Sequence, residues 1–371
     1  MWKNILIGCA IAGILVVLGI SAALYIAVRK LAPSTHGPKS VSKPAVLIGS
    51  GLMSKSVFAR ATGIGKVTDI ICSKPGQIIA AGSSGAAVVD TISGAVKSSV
   101  SLTGSLDNVT IVSTPSGSSQ YLNRGSWISA AALYDGSGKV LWTYGGLSGV
   151  DDAAAGDING DGRLEFVVGY NGGGGVHLLD SSGRKVWVKS DGNVWHVEMV
   201  DTNGDGKLEI VHSNAGGQMT VRDAAGAVLR QSRPPTYFSH FSLCRWPGKA
   251  GSQYALQAGN DAIWVLAFDG RAAARLDAPK CGYLGAAKGV PVRLENGKPD
   301  LFAVLVSFSN RDTSSLYVYG PDRKLVYQEV LPGECSAITA LAAGGSRPES
   351  LLVGGSDVIL RYTMVPAATA K

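Results

Sequence analysis

Two nine-residue stretches of the chain carry oxygen-bearing side chains at matching positions. The first runs from Asp157 to Glu165 and the second from Asp201 to Glu209. In both, positions 1, 3, 5 and 9 hold acidic or amide side chains, and a glycine at position 6 allows the sharp turn that brings their oxygens together. Ca²⁺ takes six to eight oxygen ligands in a forgiving geometry, and position 7 can add its backbone carbonyl. The predicted calcium ligands are Asp157, Asn159, Asp161, Arg163 and Glu165 in the first loop, and Asp201, Asn203, Asp205, Lys207 and Glu209 in the second.

Both stretches begin like an EF-hand loop, but they do not continue like one. An EF-hand has glutamate at position 12 and is followed by a helix. Position 12 is Val168 in the first stretch and His212 in the second, and the residues around them alternate and are β-branched, which predicts strands. The EF-hand interpretation is therefore excluded. The remaining alternative to a calcium loop is a hairpin turn rich in Asn, Asp and Gly that binds no metal.

Residues 151–230 resemble the FG-GAP or VCBS repeat family, the calcium-loop blades of integrin-α-like β-propellers. In that family the loop reads D-x-D-x-D-G-x-x-D and links the first two strands of a blade. Here Asn159 and Asn203 replace the middle Asp, and Glu165 and Glu209 replace the last. The resemblance implies a propeller that binds calcium and presents its ligand site on the face opposite the calcium loops.

Other candidate motifs do not reach the spacing that their chemistry requires. The glycine-rich run from Asn171 to Gly175 lies between predicted strands, whereas a dinucleotide-binding fingerprint must open a helix. His196 and Glu198 lie on one face of a predicted strand, and His212 and His240 are near the same units, but no third ligand follows at fixed spacing. No Ser-His-Asp or Cys-His set can be fixed from spacing. The sequence therefore predicts neither catalytic residues nor an organic cofactor.

Four cysteines lie beyond the N-terminal segment, and four cysteines allow three full pairings. The repeat described below places only Cys281 and Cys335 close enough to pair. Buried, unpaired cysteines are the alternative.

The charge of the chain gives no support to nucleic-acid binding. The formal net charge is +7, but residues 1–50 carry five basic residues and no acidic one, which leaves 29 basic against 27 acidic residues beyond them. A near-neutral balance lacks the basic surface that binds phosphate backbones.

An uncharged run of 24 residues, Ile5 to Val28, opens the chain. As a helix it would be about 36 Å long, enough to cross a bilayer core of roughly 30 Å. It predicts a transmembrane anchor after a tail of residues 1–4, with residues 29–53 as a flexible linker and the rest on the extracytoplasmic side. A cleaved signal peptide ending near Ala23 and a lipoprotein signal around Cys9 are the alternatives.

The rest of the chain repeats a hairpin pattern in which an apolar strand, an Asp, a turn glycine and a second apolar strand follow one another. The turn glycines step by 44, 45, 43 and 44 residues, and they are Gly94, Gly138, Gly183, Gly226 and Gly270. A stretched sixth copy surrounds Pro321, and a seventh runs from Ala337 to Tyr362. Strand repeats of 40–50 residues are typical of propeller blades. We therefore predict an all-β, seven-bladed β-propeller over residues 54–366, with 367–371 as a tail.

The seventh unit has no outer strand of its own. Ser56 to Arg60 precedes the first unit and otherwise has no place, so the ring is predicted to close by pairing this strand with Val358–Tyr362. Val57 and Phe58 should then be buried.

The stretch from Tyr134 to Trp142 also resembles the repeat of quinoprotein-like propellers, in which a closing tryptophan packs between blades. Trp142 and Trp187 are predicted to have this packing role.

The predicted function is a membrane-anchored, calcium-binding propeller that acts as a non-enzymatic binding or scaffold module for protein or carbohydrate. The alternative is a propeller enzyme, quinoprotein-like or acting on polysaccharide. Such an enzyme needs charged side chains that converge at the central channel.

Overall fold

The computed structural model describes residues 45–366, apart from residues 62, 126, 248–252, 260–261, 280–283, 309–312 and 343–347. Within these residues the chain forms 28 strands and no helix. The prediction of an all-β propeller is confirmed.

The strands follow one another as antiparallel sheets. The described part of the chain begins with β1 (Ala45–Ile48) and β2 (Met53–Arg60), which belong to sheets 5 and 6, described below. Sheet 1 contains β3 (Val67–Lys74), β4 (Gln77–Gly82), β5 (Gly85–Asp90) and β6 (Val96–Ser101). Sheet 2 contains β7 (Val109–Ser113), β8 (Ser119–Asn123), β9 (Ile128–Tyr134), β10 (Val140–Gly156), β11 (Glu165–Tyr170), β12 (Gly175–Leu179) and β13 (Lys185–Lys189). Sheet 3 contains β14 (Val197–Val200), β15 (Glu209–Ser213), β16 (Met219–Arg222) and β17 (Val228–Ser232).

Sheet 4 is built from consecutive strands, whereas sheets 5 and 6 each include one strand from residues 45–60. Sheet 4 contains β18 (Ser242–Arg245), β19 (Gln253–Ala258), β20 (Ala262–Leu266) and β21 (Ala272–Asp277). Sheet 5 contains β22 (Leu284–Val292), β23 (Leu301–Phe308), β24 (Thr313–Tyr319), β25 (Leu325–Pro332) and the added β1. Sheet 6 contains β26 (Ala337–Leu341), β27 (Ser350–Gly355), β28 (Val358–Met364) and the added β2.

The prediction of seven separate blades was wrong, because the described residues form six sheets. Strand β10 is 17 residues long and passes from the second predicted unit into the third. Its first half pairs with β9 and its second half with β11, with a register shift between Gly145 and Val150. The glycine-rich stretch 145–149 continues the strand and joins both units into one seven-stranded sheet.

The first strands of several neighbouring units contact each other, and in a propeller these inner strands surround the central channel. Contacts join β3 with β7, β10 with β14, β18 with β22, β22 with β26, and β26 with β3. The Nζ of Lys288, on β22, donates a hydrogen bond to the carbonyl of Thr68, on β3, at 2.7 Å. This side chain therefore bridges two first strands that are not neighbours.

The predicted pairing of Ser56–Arg60 with Val358–Tyr362 is confirmed, since β2 pairs with β28. The prediction that Val57 is buried was wrong, because its side chain is 50% exposed. The register shifts between Val57 and Ala59, and Ala59 is the buried residue instead. A one-residue bulge exchanges the two faces of a strand. Phe58 is partly buried, and the Arg361 guanidinium lies 5.8 Å from the centre of its ring.

Trp142 and Trp187, which were predicted to pack between blades, lie against the turn glycines of the next repeats. Trp142 is buried and contacts Phe166 edge to face, with ring centres 4.8 Å apart. A Cβ on Gly183, the turn glycine of the next repeat, would lie 2.6 Å from the Trp142 ring. Trp187 donates its indole N–H to the carbonyl of Ala224 at 2.9 Å and lies beside Gly226 in the same way. Each tryptophan thus fills the space that a missing side chain leaves.

The predictions of a transmembrane helix and of a single-pass membrane protein are corrected. The described part of the chain contains no helix that is long and apolar enough to cross a membrane. The predicted span, residues 5–28, lies outside that part.

Cys72, Cys244 and Cys335 are free. Cys281, the predicted partner of Cys335, lies outside the described residues.

Candidate functional site

The two acidic loops occupy equivalent places in the fold. Residues 157–164 connect β10 to β11, and residues 201–208 connect β14 to β15. Both loops therefore lie at the end of the channel where the first strands finish, which we call the exit end.

In each loop the first aspartate holds the turn together. The Asp157 carboxylate accepts the backbone N–H groups of Gly160 at 2.8 Å, Asp161 at 3.0 Å and Gly162 at 2.9 Å. Asp201 accepts the equivalent N–H groups of Gly204 at 2.6 Å and Gly206 at 2.8 Å. Burial alone would raise the pKa of Asp201, but these backbone hydrogen bonds lower it on balance.

The glutamate at position 9 ties the end of each loop to its start. Glu165 accepts the N–H of Ile158 at 3.2 Å, and Glu209 accepts the N–H of Thr202 at 2.8 Å. Both glutamates are buried. Burial raises the pKa of Glu165, because water no longer solvates its charge.

The structure brings the predicted ligands of each loop onto one turn. Asn159 and Asn203 each accept the N–H of the residue two positions later, at 2.8 Å. No group of three or more His, Cys, Asp and Glu side chains that could hold a metal is found in the described part of the chain. Calcium coordination would therefore depend on the asparagine side chains and backbone carbonyls as well, which are donors of the type that Ca²⁺ accepts.

The two loops carry the same formal charge but place their cation differently. In the first, the Arg163 guanidinium lies 3.0 Å from the Asp161 carboxylate. Lys207, the equivalent residue of the second loop, has no ion pair with a described residue. The Asp205 carboxylate therefore lacks the ion pair that Asp161 has.

A network of four charged side chains lies at the other end of the channel, where the first strands begin, which we call the entry end. Arg124 follows β8, Asp152 lies on β10, and His196 and Glu198 lie at the start of β14. Arg124 donates to both carboxylate oxygens of Asp152, at 2.8 and 3.0 Å, and to Glu198 at 2.8 Å. His196 Nδ1 lies 2.6 Å from Asp152, and its Nε2 lies 3.4 Å from Glu198. Arg124 and His196 thus lie beside the same two carboxylates.

The network is shielded from water. Its side chains are between 4% and 14% exposed. Burial alone would raise the pKa of Asp152, but the charges of Arg124 and His196 hold it well below its usual range. Burial alone would likewise lower the pKa of His196, but the Asp152 carboxylate raises it on balance. The Asp152 and Glu198 carboxylates therefore face the Arg124 guanidinium and a histidine ring whose pKa is raised.

Three aromatic side chains surround this network. The Trp195 ring stacks with that of His240, with centres 6.0 Å apart and planes 22° apart. The Tyr237 ring lies 5.7 Å from Trp195 and is 52% exposed. Its hydroxyl donates to the carbonyl of Ala215 at 2.6 Å, which fixes the ring and leaves it facing solvent. The His196 and His240 rings lie 6.3 Å apart and join the two groups. We call the set the entry cluster, and its members are Arg124, Asp152, Trp195, His196, Glu198, Tyr237 and His240.

The sequence showed only part of the entry cluster. His196 and Glu198 stood out as a pair on one strand face, but Arg124 and Asp152 are distant in sequence and carry no motif. An acidic residue, Asp152, within a strand of small apolar residues was the available signal.

Comparisons with known proteins agree with this fold. Residues 157–212 match the FG-GAP-like repeat family. The crystal structure of BBS1N in complex with ARL6DN, soaked with mercury, covers 88% of this chain and 98% of its own, with a TM-score of 0.54 and 15% sequence identity. The lead-soaked form of that complex gives a TM-score of 0.53, also at 15% identity, with coverage of 86% and 97%. No curated protein shows a significant sequence match.

The family match covers the first calcium-type loop, the strands that follow it and the second loop. It therefore coincides with the residues that carried the resemblance, and the arrangement of sheets agrees with it. The protein is therefore a β-propeller, and its residues 157–212 match the FG-GAP-like repeat family.

Proposed function

We propose that this propeller is a non-enzymatic binding module that engages a protein partner through its entry cluster, with calcium bound in the two exit-end loops. The observation that carries the proposal is the fixed aromatic surface of Trp195, Tyr237 and His240. Rigid aromatic side chains supply most of the binding energy in protein interfaces, and they are enriched where binding is strongest.

The ionic network of Arg124, Asp152, His196 and Glu198 lies next to this aromatic surface and holds its position. Arg124 joins the second unit to the third through Asp152, and to the start of β14 through Glu198. Buried, mutually bonded charges favour one arrangement of the elements that carry them, at little gain in stability. The aromatic residues are thus presented on a preorganised base, which lowers the entropy cost of binding.

The structural neighbours give independent support for the partner class. The BBS1N propeller was crystallised with a protein, ARL6DN. At 15% identity this likeness concerns the fold alone, so the partner of the present chain is a separate question.

The test compares proteins retained by the immobilised chain with those retained by a Trp195→Ala, Tyr237→Ala variant. Loss of a specific protein in the variant is expected. The control is Ile92→Ala, because Ile92 is 87% exposed and lies in the turn between β5 and β6, away from the entry cluster. A protein set that does not change in the double variant would refute the proposal, and retention of glycans in place of proteins would favour a carbohydrate ligand.

An enzyme acting on polysaccharide is the second candidate, and the ionic network is the observation that favours it. Glycoside hydrolysis uses two carboxyl groups. Asp152 and Glu198 are brought close together because both accept hydrogen bonds from the Arg124 guanidinium. Release of reducing sugar from polysaccharides by the wild type, lost in Glu198→Gln, would support this function over the first.

A further inference from the structure

A second concave surface lies at the exit end, between sheets 4 and 5. Trp246 follows β18, residues 293–300 follow β22, and residues 320–324 connect β24 to β25. These segments enclose a groove of about 380 Å³. We call it the exit groove, and the residues that matter for its chemistry are Trp246, Arg293, Lys298, Asp300, Phe302 and Arg323.

The groove has an apolar wall and an aromatic base. Trp246 is partly exposed and meets Phe302 edge to face, with ring centres 4.9 Å apart. The buried Phe302 fixes the indole from behind. Pro247, Pro299 and Pro321 complete the lining and restrict the backbone around it.

Arg323 is positioned over this wall. Its guanidinium carbon lies 5.9 Å from the centre of the Trp246 ring. Its φ is 66°, a left-handed conformation that a residue with a side chain adopts at a cost of about 1 kcal/mol or more. The turn that imposes it is closed by the Arg323 N–H, which donates to the carbonyl of Gly320 at 2.9 Å.

The lining carries excess positive charge. Arg293 is paired with Asp300 at 2.9 Å. Lys298 and Arg323 have no ion pair with any residue that the structure describes, and both are exposed. Three cations therefore face one anion within the groove.

We propose that the exit groove binds an acidic peptide segment of a partner protein. Carboxylate side chains of the segment pair with Arg323, which can bind them in a bidentate way, and with Lys298. An apolar side chain next to them packs against Trp246. The volume, at the lower end of the range for ligand pockets, holds a few side chains and not a folded domain.

This site goes beyond the proposed function. It lies at the opposite end of the channel from the entry cluster and shares no residue with it. If the exit groove does not bind an acidic peptide, the proposal for the entry cluster is unaffected. If the entry cluster does not bind a protein, the proposal for the exit groove is likewise unaffected.

The experiment measures binding of a fluorescein-labelled peptide of alternating Glu and Leu to the full chain by fluorescence anisotropy. An analogue with Lys in place of Glu is the matched probe. We expect the acidic peptide to bind, the basic one not to bind, and the affinity of the acidic peptide to fall at least tenfold between 50 and 500 mM salt because the charges are exposed. The double variant Arg323→Ala, Lys298→Ala should lose at least tenfold in affinity at low salt.

Lys324→Ala is the control variant, because Lys324 is adjacent, exposed and already paired with Asp322 at 3.3 Å outside the groove lining. It should bind the peptide as the wild type does. All three substituted side chains are exposed, so the variants should fold, and equal urea midpoints would confirm this. Equal affinity for the acidic and basic peptides, or full affinity in the double variant, would overturn the proposal.

Discussion

Substituting Gly183 by alanine tests whether the contact between a tryptophan and the next turn glycine holds neighbouring repeats together. The new Cβ would lie 2.6 Å from the Trp142 ring, in a region where that ring already contacts Phe166. Gly183 also has a φ of 78°. Alanine at a left-handed position costs about 1 to 2 kcal/mol, and overpacking a well-filled core costs about 1 to 3 kcal/mol more. We expect Gly183→Ala to lower the free energy of unfolding by about 2 to 5 kcal/mol.

The matched control is Gly76→Ala. Gly76 has a φ of 80°, almost the same backbone conformation, but a Cβ there would meet no atom within 4 Å. Its substitution should cost only the backbone part, about 1 to 2 kcal/mol. Urea denaturation of both variants measures the difference.

A double-mutant cycle separates the contact from any general weakness of the turn. In a Trp142→Leu background the ring is absent, so Gly183→Ala should cost no more than Gly76→Ala. If Gly183→Ala and Gly76→Ala destabilise equally in the wild type, the tryptophan contact does not limit the packing between repeats and the reasoning fails.

The remaining predictions concern the loops, the entry cluster, a buried histidine and ring closure. If each loop binds Ca²⁺ with a Kd of about 0.1 mM, 1 mM Ca²⁺ should stabilise the protein by about 1.4 kcal/mol per site relative to excess chelator; an equal effect in the Asp157→Ala, Asp201→Ala variant would contradict this. Asp152→Asn leaves Glu198 as the one carboxylate of this network beside Arg124 and His196 and should cost about 3 to 5 kcal/mol in urea denaturation, whereas a cost under 1 kcal/mol would show that Glu198 and water compensate for the lost charge. Burial lowers the pKa of His212 to about 4, so the unfolded chain binds a proton below its ordinary pKa of about 6.5 while the folded chain does not. Stability should therefore fall as the pH drops from about 6.5 to 4, and His212→Gln should remove this part of the pH dependence. Deleting residues 51–60 removes β2 and exposes the edge of β28, so the truncated chain should aggregate in size-exclusion chromatography; elution as a monomer would contradict the role of β2.

The features that the sequence revealed are local in the chain. The loop from Asp157 to Glu165 is a contiguous pattern, and its hydrogen bonds connect residues no more than seven apart. The repeat was visible because each hairpin turn needs a glycine with positive φ at the same place. Trp142 could be assigned a packing role because the contiguous stretch from Tyr134 to Trp142 resembles the repeat of quinoprotein-like propellers.

The features that the sequence concealed depend on distant pairs or on a single residue of register. The entry cluster joins Arg124 to Asp152 and Glu198, which lie on three separate elements, and none of these residues has a motif around it. The exposure of Val57 follows from one bulge in β2, and the strand propensities of the residues around it do not predict a bulge. The continuity of β10 was concealed because glycines at 145, 146 and 149 are typical of a turn, whereas here the strand pairs on both sides of them.

Because β10 belongs to two units, the second and third repeats cannot open independently. Any fluctuation that detaches the first half of β10 from β9 pulls on the same chain that pairs with β11, because only the four residues of the register shift between Gly145 and Val150 separate the halves. The amides of β9 and β11 should therefore exchange their hydrogens with solvent as one cooperative group, with a common free energy of opening. Sheets 3 and 4, which are joined by the connection between β17 and β18, should open as separate groups. Both calcium-type loops lie beside this shared strand or on the sheet that contacts it, so binding at either loop should slow exchange across the whole seven-stranded sheet.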